Sequence, residues 1–269
     1  MVWITIAILG ISLSSCKDDK KIAPPSDTKG TAGSLSWELS EDGTLAISGI
    51  GAIPDYALNG SGSTVTSPWY AHRTATKTLE LGNAVTHIGS HSFAYFFNLE
   101  NIISTSLTDS TTIGNDSNDN DYTFFNIPES ITSIGDRAFT GCIGLKGKIT
   151  IPSHVTHVGE WAFFNCNGIT NVIIQDGVIE VAHRLFSNCA ALQTITIPST
   201  VRTVREWSLA GCSALDEITV KAIEPPAVWS YAFNGVKRNV TIYVPQESLS
   251  AYKNSEHWKE FTNIQGKVF

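Results

Sequence analysis

Six large apolar residues set the frame of this chain: Phe93, Phe139, Phe163, Phe186, Leu209 and Phe233. The steps between them are 46, 24, 23, 23 and 24 residues, so the period is about 23 and the first step spans two periods. Other columns keep step. Three residues on stand Phe96, Cys142, Cys166, Cys189, Cys212 and Val236, and six on stand Leu99, Leu145, Ile169, Leu192 and Leu215. Five before stand Ile88, Ile134, Val158, Val181, Val204 and Val228. A unit this short cannot enclose a core alone, so successive copies must stack and each column residue must meet its equivalent one coil away. Paired strands lie roughly 4.7–4.9 Å apart, which makes each column a ladder. Ala191–Ile197 and Ala214–Val220 alternate like strands. The Gly-x-x-Ala-Phe-x-x-Cys segment has i, i+3 spacing but few residues, and reads as a short helical or 3₁₀ turn.

Val155-Thr156-His157-Val158-Gly159 with Ala162-Phe163 and Cys166, and the equivalent residues of the other copies, closely resemble the BspA-like leucine-rich repeat family of bacterial surface proteins. The resemblance runs from Gly33 to Phe269 and includes the family's ends: Ile53-Pro54-Asp55-Tyr56 and Ser67-Pro68-Trp69-Tyr70 before the repeats, then Ile242-Tyr243-Val244-Pro245 and Ala251-Tyr252-Lys253 after them. Arg205 stands where the pattern has Gly, and Gln175 where it has Pro. The fold implied is a β-rich repeat solenoid, a leucine-rich-repeat-like right-handed coil with short helical turns, an N-terminal β cap and a C-terminal helical cap. The role implied is surface attachment or host-molecule binding.

The expected layout is a lipoprotein signal peptide at 1–15, a flexible tether at 16–32 and an N-terminal β cap at 33–77. Repeats follow at 78–222, with an insertion about 104–124, and a terminal repeat and cap at 223–269. The apolar start is too short to span a membrane as a helix and reads as a secretory signal. Leu13-Ser14-Ser15-Cys16 resembles a bacterial lipoprotein box, which makes Cys16 the lipidated residue; the alternative is a plain signal peptide followed by a chance Cys. Lys17-Asp18-Asp19 resembles the export tag of outer-surface lipoproteins in the Bacteroidetes, so the expected address is the outer membrane, surface-exposed, with a periplasm-facing anchor as the alternative. Lys17 to Ala32 carries Pro24-Pro25 and no apolar pattern, and reads as a tether.

Leu35–Leu39 and Thr44–Ser48 alternate around Gly43 and read as a hairpin that covers the edge of the first coil. Trp69 and Tyr70 are expected beneath that coil. Between Ile103 and Phe124 lies either a loop or a degenerate repeat. Ser248 to Phe261 reads as the one sizeable helix, with Leu249, Tyr252 and Trp258 turned inward.

The chemistry-bearing residues are few. Cys142, Cys166, Cys189 and Cys212 share one core column, where Cys behaves as a small hydrophobe, so they are expected as free structural thiols. Neither CxxC pairs nor a local His cluster suggest a metal. Asp116-x-Asn118-x-Asn120 has the opening of a calcium loop, but Asp121 stands where that loop needs Gly and Ile127 where it needs Glu. No catalytic motif occurs, so no enzyme and no cofactor is expected. Net charge is −7 with no block of Lys or Arg, which argues against nucleic acid.

The most suggestive column stands two residues before the core Phe: His91, Arg137, Trp161, Arg184, Trp207 and Tyr231. The register predicts that these side chains point outward. Aromatics alternating with Arg can stack on sugar rings or anchor a protein interface; they can equally pack on one another between coils. A second outward column, Thr150, Thr196, Thr219 and Tyr243, needs only strand propensity. The functional expectation is a monomeric, non-enzymatic surface lipoprotein, held to the membrane only by its lipid, that binds host proteins or mucosal glycans. The alternatives are a carbohydrate-binding component of a glycan-uptake system, or a structural spacer.

Overall fold

The structure, a computed structural model, describes residues 27–60, 64–105 and 125–269. The signal, Cys16, most of the tether and the acidic loop lie outside the described residues.

The repeats form a β-solenoid whose coils have a strand face, a shorter second face and a turn face. On the strand face Gly147–Ile151, Ile169–Ile174, Thr194–Ile197, Glu217–Val220 and Thr241–Pro245 run parallel in one sheet. Val172 pairs with Ile195, Ile195 with Ile218 and Ile218 with Ile242, and all four are buried. The alternate residues Thr150, Ile173, Thr196, Thr219 and Tyr243 form the second column in register.

The second face is built from two-residue to four-residue strands. Ile88 pairs with Ile134, and Ile134 with Val158. The glycines that follow permit this spacing. A Cβ at Gly135 would meet the Ser90 nitrogen at 2.5 Å, and one at Gly159 the Asp136 nitrogen at 2.5 Å. Ala182 stands next in that column, and the ladder divides there: Glu180–Val181 pairs with Thr203–Val204 but not with His157–Val158. An alanine Cβ needs room that the glycines do not leave.

The two-period step adds no rung to the second or turn faces. Ile88 pairs directly with Ile134, and Phe93 stacks on Phe139. Phe125 bridges to Ile102 on the strand face.

Inside, one ring stack runs up the turn side. Trp69–Phe93, Phe93–Phe139, Phe139–Phe163 and Phe163–Phe186 have centroids 5.8, 5.6, 5.4 and 5.6 Å apart and nearly parallel planes. Leu209 ends the stack, and Phe233 packs instead on Trp258 and Phe261. Beside it the four cysteines are free and fully buried. Each thiol donates to the carbonyl of the Phe one coil back: Cys142 to Phe93 at 3.1 Å, and Cys166, Cys189 and Cys212 to Phe139, Phe163 and Phe186 at 3.2 Å.

Both ends differ from expectation. Lys29–Ala32 is a strand, antiparallel to Leu35–Leu39, where a tether was expected. It adds a third strand outside the hairpin and places Gly30 against the Trp37 indole. Trp69 is buried under the first coil, its indole N–H donating to Ser92 O at 2.8 Å. At the other end the expected helix is short, Leu249–Asn254, with single 3₁₀ turns at Gln246–Ser248 and Trp258–Glu260. Extended backbone at Ser255 and φ of 66° at His257 stop it, because Tyr252 and Trp258 are drawn down to separate carbonyls, Ala222 and Pro226. Asn263–Lys267 then pairs in parallel beside Thr241–Pro245 and covers its edge. Among the described residues no helix is long and apolar enough to cross a membrane.

Candidate functional site

The segment expected as a helical turn is a run of linked turns. His91, Arg137, Trp161, Arg184, Trp207 and Tyr231 all have φ between 53° and 62°, in the left-handed region. Four residues on, Tyr95, Gly141, Asn165, Asn188, Gly211 and Gly235 have positive φ again. Left-handed backbone interrupts any helix, so the N–H groups alternate between two uses. Ala94 and Phe96 donate to His91 and Phe93 within the coil, while His91, Phe93 and Tyr95 donate to Asp136, Ala138 and Thr140 on the next coil. The same pattern ties Arg137 to Glu160, Trp161 to His183 and Arg184 to Glu206 at 2.9–3.1 Å.

Left-handed backbone costs a large L-residue about 1–2 kcal/mol, and Gly or Asn normally takes such places. The second column follows that rule in most coils; the first does not. What offsets the cost is stacking. The Arg137 and Arg184 guanidiniums lie 4.9 and 4.4 Å from the Trp161 ring centroid, on the coils either side of it. Arg184 also lies 5.1 Å from Trp207, and Trp207 stacks on Tyr231 at 4.7 Å and 18°. Cation–π contacts are worth roughly 0.5–2 kcal/mol each, enough to balance the backbone. Arg137, Trp161, Arg184, Trp207 and Tyr231 are therefore brought together as one continuous strip, and His91 stands at its lower end beside Arg137.

The strip is less outward than the register suggested. Its members from His91 to Trp207 are half-buried by one another, and only Tyr231 is open, at 63% exposure. Arg184 Nε is buried without a hydrogen-bond partner among the described residues, consistent with a guanidinium held between rings. At the lower end, burial and the neighbouring Arg137 hold the His91 imidazole below its ordinary value, which keeps it neutral near pH 7.

Sequence reasoning missed a second group beside the strip. Arg205, in the place of the missing Gly, lies 4.2 Å over the Trp229 ring and pairs with Glu180 at 3.4 Å. It also missed that the cap residues Arg238, His257 and Glu260 come round to face Tyr231. The one available signal for the turn geometry was the Gly/Asn content of the second column. Among the described residues no group of three or more His, Cys, Asp or Glu could hold a metal.

A stacked parallel coil of about 23 residues with Leu, Ile and Val ladders and free Cys rungs defines a leucine-rich repeat protein. The chain belongs to the BspA type leucine rich repeat region family, whose model matches six copies over residues 38–123 and 111–240. Such arrays are general protein-interaction and surface scaffolds. A search of curated proteins finds no significant match. Among solved structures, a leucine-rich repeat protein of T. pallidum is 16% identical, covers 90% of this chain and 100% of its own, and has a TM-score of 0.47. One from Bacteroides ovatus is 16% identical, with coverage of 87% and 75% and a TM-score of 0.37. A leucine rich cell surface protein of Faecalibacterium prausnitzii is 18% identical, with coverage of 91% and 96% and a TM-score of 0.28.

Proposed function

We propose that this chain is a non-enzymatic surface lipoprotein, anchored through Cys16, that binds an extracellular host protein or mucosal glycan along its turn face. The observation that carries the reading is the strip from His91 to Tyr231. Trp, Tyr and Arg are the residue types that dominate interface energetics. Here they are already locked by their neighbours, so little side-chain entropy is lost when a ligand arrives. The resemblance of Leu13–Cys16 to a lipoprotein box supports the anchor.

A second reading has its own support. Arg137 and Arg184 are each engaged with Trp161, so the strip also serves as a spine for a structural spacer. Protease shaving of intact cells, followed by a ligand screen with the shed domain, separates the two. Release by protease and capture of a matrix protein or mucin glycan supports binding. Release with no capture by any arm of the screen favours the spacer. Membrane retention of a Cys16→Ala variant overturns the lipid anchor.

A further inference from the structure

The strip does not end symmetrically. Trp161, Arg184 and Trp207 each have a partner on both sides, whereas Tyr231 has Trp207 beneath it and, among the described residues, no further rung above. Its ring opens instead onto a groove of about 270 Å³ between the last repeat turn and the C-terminal cap. The walls are fixed from behind. Trp229, 42% exposed, is clamped by Arg205, and Tyr231 is backed by Trp207. Arg238 is held over Phe261 at 5.1 Å while its Nη2 reaches Glu260 Oε2 at 3.1 Å. His257 Nδ1 lies 3.2 Å from the other oxygen, Glu260 Oε1.

From this arrangement we infer that the groove is a subsite for one ring of a neutral sugar, stacked on Tyr231 and hydrogen-bonded by Arg238, Glu260 and His257. The inference rests on the turn face being the binding face, and it names the chemistry of the ligand there. A pyranose has a C–H face that lies on an aromatic platform and a rim of hydroxyls that donate and accept. The groove supplies both: an exposed, immobile ring on one side and, on the other, guanidinium donors with carboxylate acceptors. The charges oppose other ligands. Arg238 and Glu260 cancel, so neither a cation nor an anion finds an uncompensated partner. An apolar side chain would strip water from this polar trio without adding a hydrogen bond to it, which is costly.

The test is saturation-transfer NMR on the whole chain with galactose, glucose, mannose and N-acetylglucosamine, and with arginine amide and phenylalanine amide as controls. Tyr231→Gly removes the platform at a position whose φ of 62° suits glycine, so the fold should survive, as circular dichroism will confirm. The expected result is transfer to at least one sugar, weakened at least tenfold by Tyr231→Gly and retained in Gly60→Ala, which lies outside the groove and the strip. No transfer to any of the four sugars, or transfer unchanged by Tyr231→Gly, overturns the inference. Binding of either amide in place of the sugars also overturns it, but leaves the protein-binding form of the wider proposal standing. That wider proposal fails separately, if a folded Trp161→Gly with Trp207→Gly variant captures its ligand unchanged.

Discussion

Arg184 lays its guanidinium 4.4 Å from the centre of the Trp161 ring, and both residues hold left-handed backbone to do so. The contact offsets the cost of the conformation, and hydrogen bonds from Trp161 N–H to His183 O and from Arg184 N–H to Glu206 O hold that conformation in place. This yields a test of the backbone alone. Trp161→Ala loses the stacking and keeps a Cβ in the left-handed region; Trp161→Gly loses the same stacking and sheds the strain. Urea unfolding should place the Gly variant about 1 kcal/mol above the Ala variant, the reverse of their order in a helix or strand. An Ala variant at least as stable as the Gly variant would contradict the left-handed assignment.

The inner stack ties successive coils together. Phe163 lies between Phe139 at 5.4 Å and Phe186 at 5.6 Å and is fully buried. Phe163→Ala should cost about 3–5 kcal/mol in chemical denaturation. A loss below about 1 kcal/mol would mean that neighbouring coils close over the gap.

The cysteine rungs make stability fall at alkaline pH. Burial raises all four thiols above the ordinary value of 9.0, Cys212 to about 12. Below pH 9 both folded and unfolded chains keep these protons, and the thiols have no effect. Above it the unfolded chain ionises while the fold does not, so each thiol removes up to about 1.4 kcal/mol per pH unit. Urea midpoints measured from pH 8 to 10 should drop, and a Cys142, Cys166, Cys189, Cys212 to Ala variant should show a shallower drop. In the folded protein these thiols should not react with a thiol reagent until urea unfolds the chain.

The glycine column sets the distance between coils. Gly159→Ala would press a Cβ onto Asp136 and should cost about 1–3 kcal/mol. Gly60 has nothing within 4 Å of its added Cβ, so Gly60→Ala serves as a control that should change stability by less than about 0.5 kcal/mol. Equal effects at the two positions would show that coil spacing is not glycine-limited.

The core was legible because burial imposes a period. Phe163, Cys166, Ile169 and Val158 recur at fixed steps, and a residue that must meet its own equivalent cannot drift. The turn geometry was not legible, because Arg, Trp and Tyr carry no preference for positive φ; the inter-coil stacking favours them there. Helical spacing of Leu249, Tyr252 and Trp258 suggested one helix, but tertiary hydrogen bonds from Tyr252 and Trp258 break it at Ser255–His257. Asn263–Lys267, with the sequence Asn-Ile-Gln-Gly-Lys, has little strand propensity and is a strand only because Thr241–Pro245 presents it an open edge. The Tyr231 groove was invisible for a related reason: the fold of the cap alone brings Arg238, His257 and Glu260 to face it.

The central proposal is that the strip binds, and a double glycine variant tests it most directly. Trp161→Gly with Trp207→Gly removes both indoles at positions whose φ of 61° and 59° accept glycine. The whole chain and this variant are compared for capture of extracellular matrix proteins and mucin glycans, with circular dichroism confirming the fold. The account predicts a folded variant whose capture falls at least tenfold, about 1.4 kcal/mol. A folded variant with unchanged capture would contradict it and leave the strip as a structural spine alone.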